Sequence, residues 1–234
     1  MTDGPENHAI VSSPESRGML VSALGLLTFA LALGVLAALK TGLPIERAIV
    51  KAVALREHAT PHIAISLVQW VSWIGEPAQR SLAMVGFAGL LYWRKRPWAA
   101  LVMVVAPPFA GATSSLLKEI FSRARPDLVP HLDIVTSLSF PSGHATNAMA
   151  IYLLAALLLA WAWRPLWIGL ALFVALAIGV SRVLLGVHWP SDMLGGWCWG
   201  AGFALIGFRL TQLKEVDQKE KRSPILMSRP ESGA

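Results

Sequence analysis

Six ionisable side chains in the second half of the chain fall into three groups suited to handling an anion. Lys118 precedes Arg125-Pro126, His144 closes Pro141-Ser142-Gly143-His144, and Ser181-Arg182 is followed by His188 and Asp192. Three cations gathered at one point repel one another, so Lys118, Arg125 and Arg182 together want an anion. Phosphate suits them, because guanidinium forks match its oxygens. Ser142-Gly143-His144 reads as a helix opening, whose free N–H groups and positive dipole end favour the same anion. Gly143 lets the backbone approach closely, and Pro141 suits a helix start. His188 and Asp192 stand four apart, on one face of a helix if it has begun there. A carboxylate beside an imidazole fixes its tautomer and stabilises developing charge. His188 is thereby a candidate nucleophile toward phosphorus, and His144 is left to protonate the leaving oxygen, worth about 10²–10⁴ in rate. Each residue alone has a plainer reading, as a snorkelling cation, an interfacial histidine or a helix cap. Their joint placement at matched ends of apolar segments favours function.

The elements that must position these residues are apolar helices. The sequence is 55% hydrophobic and only 15% charged, too apolar for an ordinary soluble domain. Charge is absent from residues 19–39, 97–117, 145–163, 165–181 and 193–208. A bilayer core takes about 20 helical residues, and its backbone must satisfy itself. The expected fold is all-α: an integral-membrane six-helix bundle with spans near 19–39, 77–93, 97–121, 142–163, 165–185 and 190–211. Residues 44–58 read as an amphipathic interfacial helix, with Ile45, Ala48, Ile49, Ala52 and Val53 on one side and Glu46, Arg47, Lys51 and Glu57 on the other. Residues 63–74 form a short apolar run, cut by Gly75-Glu76-Pro77, that suits a half-helix between spans one and two. The expected organisation is a flexible tail at 1–17, a membrane domain at 18–211 and a charged flexible tail at 212–234. Residues 1–18 are polar, with no pattern of a cleavable signal.

Six spans put both termini on one face, and the ends of spans three and five meet the starts of spans four and six on the other. The three groups therefore share one membrane face. Arg94-Lys95-Arg96, Arg164 and the tail cations lie opposite, on the face that the positive-inside tendency makes cytoplasmic. The net charge of +6 sits at helix ends and in short loops, so it is not a nucleic-acid surface. Cys198 is the single cysteine and excludes an internal disulfide. No metal-ligand cluster or cofactor motif stands out, and nothing specifies an oligomeric state.

Lys118-x6-Arg125-Pro126, Pro141-Ser142-Gly143-His144 and Ser181-Arg182-x5-His188-x3-Asp192 together resemble the three-part signature of the type 2 phosphatidic acid phosphatase superfamily. That superfamily also holds vanadium haloperoxidases and soluble acid phosphatases, but a chain that is nearly all membrane fits its lipid phosphatases. The resemblance implies that His188 attacks phosphorus and forms a phosphohistidine. It implies that Asp192 orients His188, that His144 is the general acid, and that Lys118, Arg125 and Arg182 bind phosphate oxygens with help from Ser142 and Gly143. Arg123 and Glu76, beside the signature and at the same face, are possible headgroup contacts. The implied reaction is metal-free hydrolysis of a lipid phosphate or diphosphate, with undecaprenyl pyrophosphate first and phosphatidylglycerol phosphate or phosphatidate next. Phosphotransfer to another lipid or sugar, and non-catalytic phospholipid carriage, are the alternatives. The expected setting is the inner membrane, with the site on the periplasmic face, the termini cytoplasmic, and a lipid phosphate and membrane lipids as partners.

Overall fold

The computed structural model describes residues 14–39, 42–159 and 162–227. Among them are eight helices: α1 (Pro14–Leu39), α2 (Pro44–Val53), α3 (His62–Ile74), α4 (Pro77–Trp93), α5 (Pro97–Phe121), α6 (Gly143–Leu159), α7 (Arg164–Leu184) and α8 (Pro190–Met227). Proline opens several of them, where its missing N–H costs nothing and its φ is already helical. The described residues contain no strand. Three helices are long and apolar enough to cross a membrane on their own, within Arg17–Leu39, Pro97–Phe121 and Arg164–Leu184. The other three expected spans fall on α4 and α6, of 17 residues each, and on α8, of 38 residues, none of which is among those three.

α6 is the axis of the bundle. Its apolar residues point all round, and Ala145, Ala148, Met149, Leu154 and Leu158 are all buried. Such a helix belongs inside a bundle rather than at its edge. α8 lies directly against it. A Cβ on Gly200 would come within 2.3 Å of the Thr146 carbonyl, and one on Gly196 within 2.6 Å of the Ser142 carbonyl. Small residues let two helix backbones meet this closely, and here the contact joins the starts of α6 and α8. Outer faces are apolar and exposed, as at Leu24, Phe29, Leu82, Val105, Phe109 and Phe173. A continuous exposed apolar face of this kind suits hydrocarbon.

Several expected boundaries shift. The expected N-terminal tail falls mostly outside the described residues, and α1 already begins at Pro14. The interfacial helix stops at Val53 instead of 58. Ala54 turns extended, and the Leu55 N–H is taken by the Leu184 carbonyl at 2.8 Å, a tertiary bond that replaces the next helical one. The short run forms a helix of 13 residues ended by Gly75. At about 1.5 Å rise per residue it falls short of a hydrocarbon core of about 30 Å. α8 continues beyond 211 to Met227, tied at Glu215 to Arg96 by an ion pair of 2.6 Å.

Candidate active site

Four helix ends meet at one pole of the bundle. Lys118 lies in the last turn of α5, His144 in the first turn of α6, Arg182 near the end of α7 and Asp192 in the first turn of α8. The loops 122–142 and 185–189 cross this pole and bring Arg125 and His188 to it. The long loop is strapped to the body: the Leu132 N–H donates to the Leu185 carbonyl at 3.1 Å, and Gln69 Nε2 donates to the Leu132 carbonyl at 3.0 Å.

His188 is buried, with both ring nitrogens engaged. Nδ1 is 3.2 Å from Asp192 Oδ2, and Nε2 is 3.1 Å from Arg125 Nη1. A guanidinium can only donate, so Nε2 carries the lone pair and Nδ1 the proton, directed at the carboxylate. Burial holds the imidazole far below its usual pKa, at about 3, with Asp192 pulling it up and Arg125 and Lys118 pushing it down. His188 is therefore neutral near pH 7. Asp192 is held from several sides. Ser139 Oγ donates to Oδ2 at 2.5 Å, the Trp189 N–H donates to Oδ2 at 2.8 Å, and Arg123 Nη1 donates to Oδ1 at 2.5 Å.

The cations are fixed by neutral acceptors. Lys118 Nζ donates to the Leu138 carbonyl at 2.6 Å. Arg125 donates from Nε to the Ser137 carbonyl and from Nη1 to the Val187 carbonyl, both at 2.7 Å. Carbonyls orient a cation without cancelling its charge, so the cluster still wants an anion. Burial, and then the charge of Arg182, lower the Arg125 pKa to about 10, which leaves it charged at neutral pH. Arg182 differs. It donates to Ser72 Oγ at 2.6 Å and forms an ion pair with Asp133 from the long loop.

These groups line a cavity of about 570 Å³. Lys118, Arg125, Gly143, His144, Arg182 and His188 all face it, as does Glu76, whose Oε1 is 3.2 Å from His144 Nε2. Gly75 permits that approach, since a Cβ there would stand 2.8 Å from the His144 ring. The cavity continues between α4, α5 and α6 past Met84, Gly111 and Ile151 as far as Pro107. Pro107 lies 11 residues before Lys118, or about 16 Å along the helix axis.

Three expected residues are not at the cavity wall: Ser142, Arg123 and Asp192, the last buried behind His188. Ser142 is fully buried behind the wall, and its Oγ has no partner. Arg123, taken from the sequence as a possible headgroup contact, is also buried and faces away from this cavity toward Asp192 and Glu46. Sequence reasoning missed Ser139, Asp133 and Glu46. Ser139 stands two residues before Pro141 and could have drawn notice as part of the second group. Asp133 and Glu46 carry no local signal, because their partners are 49 and 77 residues away.

The sequence profile of the PAP2 superfamily matches residues 96–215. The chain belongs to the PAP2 superfamily. Phosphatidylglycerophosphatase B of Bacillus subtilis is 36% identical over 141 residues, which cover 58% of this chain and 66% of that relative. Decaprenylphosphoryl-5-phosphoribose phosphatase of Mycobacterium tuberculosis (strain CDC 1551 / Oshkosh) is 41% identical over 130 residues, 53% of this chain and 67% of that relative. The chain thus spans about two thirds of the length of these two PAP2 relatives. The fold is similar to the crystal structure of a transmembrane PAP2-type phosphatidylglycerolphosphate phosphatase from Bacillus subtilis. The TM-score is 0.72 at 26% identity, covering 85% of this chain and 96% of that one.

Proposed function

We propose that this chain is a membrane lipid phosphatase that works through a phosphohistidine on His188 without a metal ion. The observation that carries the reading is the His188 ring: it lines a cavity shared with Lys118, Arg125 and Arg182, its Nδ1 proton is held by Asp192, and its Nε2 lone pair, held by Arg125, becomes free to attack when a phosphate takes that donor. The Nε2 lone pair attacks phosphorus, and the bond from phosphorus to the lipid oxygen breaks. His144 gives that oxygen a proton. The three cations take the charge that accumulates on the phosphoryl oxygens, an electrostatic role often worth several kcal/mol in a site of this kind. Water then attacks phosphorus while His144 removes its proton, the phosphorus–nitrogen bond breaks with its electron pair returning to Nε2, and inorganic phosphate leaves with His188 restored. Glu76 Oε1, 3.2 Å from His144 Nε2, holds the ring at the cavity wall where the leaving oxygen would stand.

A lipid substrate is supported by the cavity's apolar extension along α5, which gives an acyl or prenyl chain a place while its phosphate reaches the cations. Among lipids, phosphatidylglycerol phosphate is the first candidate, after the names of one relative and the similar crystal structure, and undecaprenyl pyrophosphate the second, after the names of two further relatives that match shorter stretches of this chain. The site would open on the periplasmic face of the inner membrane, with the Arg94-Lys95-Arg96 turn at the cytoplasmic one.

The deciding experiment is phosphate release by purified protein in detergent from a panel of lipid phosphates, with His188→Ala beside the wild type and EDTA in a parallel series. Wild type should turn over at least one lipid phosphate in EDTA, and His188→Ala should lose at least about 10³ in rate. Substantial turnover by folded His188→Ala would overturn the nucleophile assignment.

A further inference from the structure

The described residues contain a second buried charge cluster, behind the nucleophile and outside the cavity. Arg123 sits at its centre with no side-chain exposure. Its Nη2 is 2.7 Å from Glu46 Oε2, and its Nη1 is 2.5 Å from Asp192 Oδ1. Ser191 knits the two ends, accepting from Arg123 Nη1 at 2.7 Å and donating from Oγ to Glu46 Oε1 at 2.5 Å. The Ser191 N–H adds a bond to Glu46 Oε1 at 3.1 Å, and the Leu43 N–H one to Oε2 at 3.1 Å. The Arg123 guanidinium also lies over the Trp189 ring at 5.5 Å. Glu46 belongs to α2, whose Ile45, Ile49 and Val53 are exposed while Glu46 and Val50 are buried. The helix thus turns apolar side chains outward and a carboxylate inward.

Folding stability does not explain such a cluster, because a buried ion pair roughly breaks even against apolar packing. Its charge count does suggest a purpose. Arg123 alone beside Asp192 would cancel the negative charge that His188 needs when its ring becomes cationic on phosphorylation. Glu46 neutralises Arg123 from the far side. Arg123 can then orient Asp192 by a hydrogen bond while one net negative charge remains facing His188.

We propose that Glu46 is a positioning residue for the phosphoryl-transfer step: acting through Arg123, it holds Asp192 in place and leaves its charge available to His188. The inference rests on the assignment of His188 as nucleophile. Glu46 touches neither the cavity nor any group proposed to bind phosphate, so the expected effect falls on turnover and not on substrate binding.

The test measures kcat and KM for the lipid phosphate that the wild type turns over best, with thermal stability in the same detergent. Glu46→Gln keeps the shape and removes the charge. It should lower kcat about tenfold, equivalent to about 1.4 kcal/mol of lost charge stabilisation at the ring, with KM within twofold of wild type. Glu46→Asp keeps the charge and should recover most of the lost kcat. A merely structural role predicts the opposite order, with the isosteric Glu46→Gln tolerated and the shortened Glu46→Asp impaired. Wild-type kcat in Glu46→Gln, or equal losses in the two variants, would overturn the proposal. If Glu46→Gln does not fold, Ser191→Ala takes its place, since it removes hydrogen bonds from Glu46 and Arg123 and leaves both charges. A kcat loss of about threefold at constant KM supports the relay, and an unchanged kcat overturns it. His188→Ala separates the two ideas. If that variant stays active, the nucleophile assignment fails. If it is dead while Glu46→Gln is normal, only the relay fails.

Discussion

At the scale of single residues, the burial of a neutral His188 has a consequence for stability as well as for nucleophilicity. The folded protein resists protonating this ring until about pH 3, whereas the unfolded chain takes the proton near 6.5. Below pH 6.5 the unfolded state therefore binds a proton that the folded state does not, and stability falls with pH down to about 3. The slope from this one group is at most about 1.4 kcal/mol per pH unit. Thermal melts between pH 7 and 5 should show the loss, and His188→Asn should flatten it. Asp133 gives a second expectation. Its carboxylate occupies Arg182, a cation otherwise free to meet phosphate. Asp133→Asn should tighten inhibition by vanadate about threefold, the modest size expected for a partly exposed pair. An unchanged inhibition constant would show that the ion pair does not compete with the anion.

At the scale of elements, the close contact of α6 with α8 sets the spacing of His144 and His188. Gly200→Ala should force these helices apart, costing about 1–3 kcal/mol. A lower melting temperature together with a lower kcat checks this, and an unchanged melting temperature would contradict the contact. The helices themselves were legible in the sequence, because uncharged runs closed by Arg94-Lys95-Arg96-Pro97 and Arg164-Pro165 leave little choice. The grouping of Lys118, Arg125, His144, Arg182, His188 and Asp192 followed from span parity and the signature spacings. What stayed hidden was the direction of side chains on α2. Its pattern placed Glu46 on a polar face, as if for solvent, yet Glu46 is buried. Only the fold brings Arg123 and Ser191, 77 and 145 residues away, to meet it. The end of α2 at Val53 was hidden for the same reason, since Leu184 supplies the acceptor that stops it.

At the scale of the whole molecule, two polar poles cap an apolar barrel. One pole holds the candidate site. At the other, Arg94 and Arg96 donate to the Leu159 and Leu158 carbonyls, and Arg96 pairs with Glu215. The cavity links the first pole to the apolar middle, reaching Pro107 about 16 Å along α5 from Lys118. A catalyst entered this way meets its substrate as a solute of the bilayer, in two dimensions. Its rate should follow the mole fraction of lipid phosphate in the micelle or vesicle rather than the amount per volume of buffer. Adding inert detergent at constant substrate should therefore slow the reaction in proportion to the dilution of the surface. A short-chain, water-soluble phosphate ester should show no such dependence, and it should be turned over less well because it leaves the long apolar arm of the cavity unfilled.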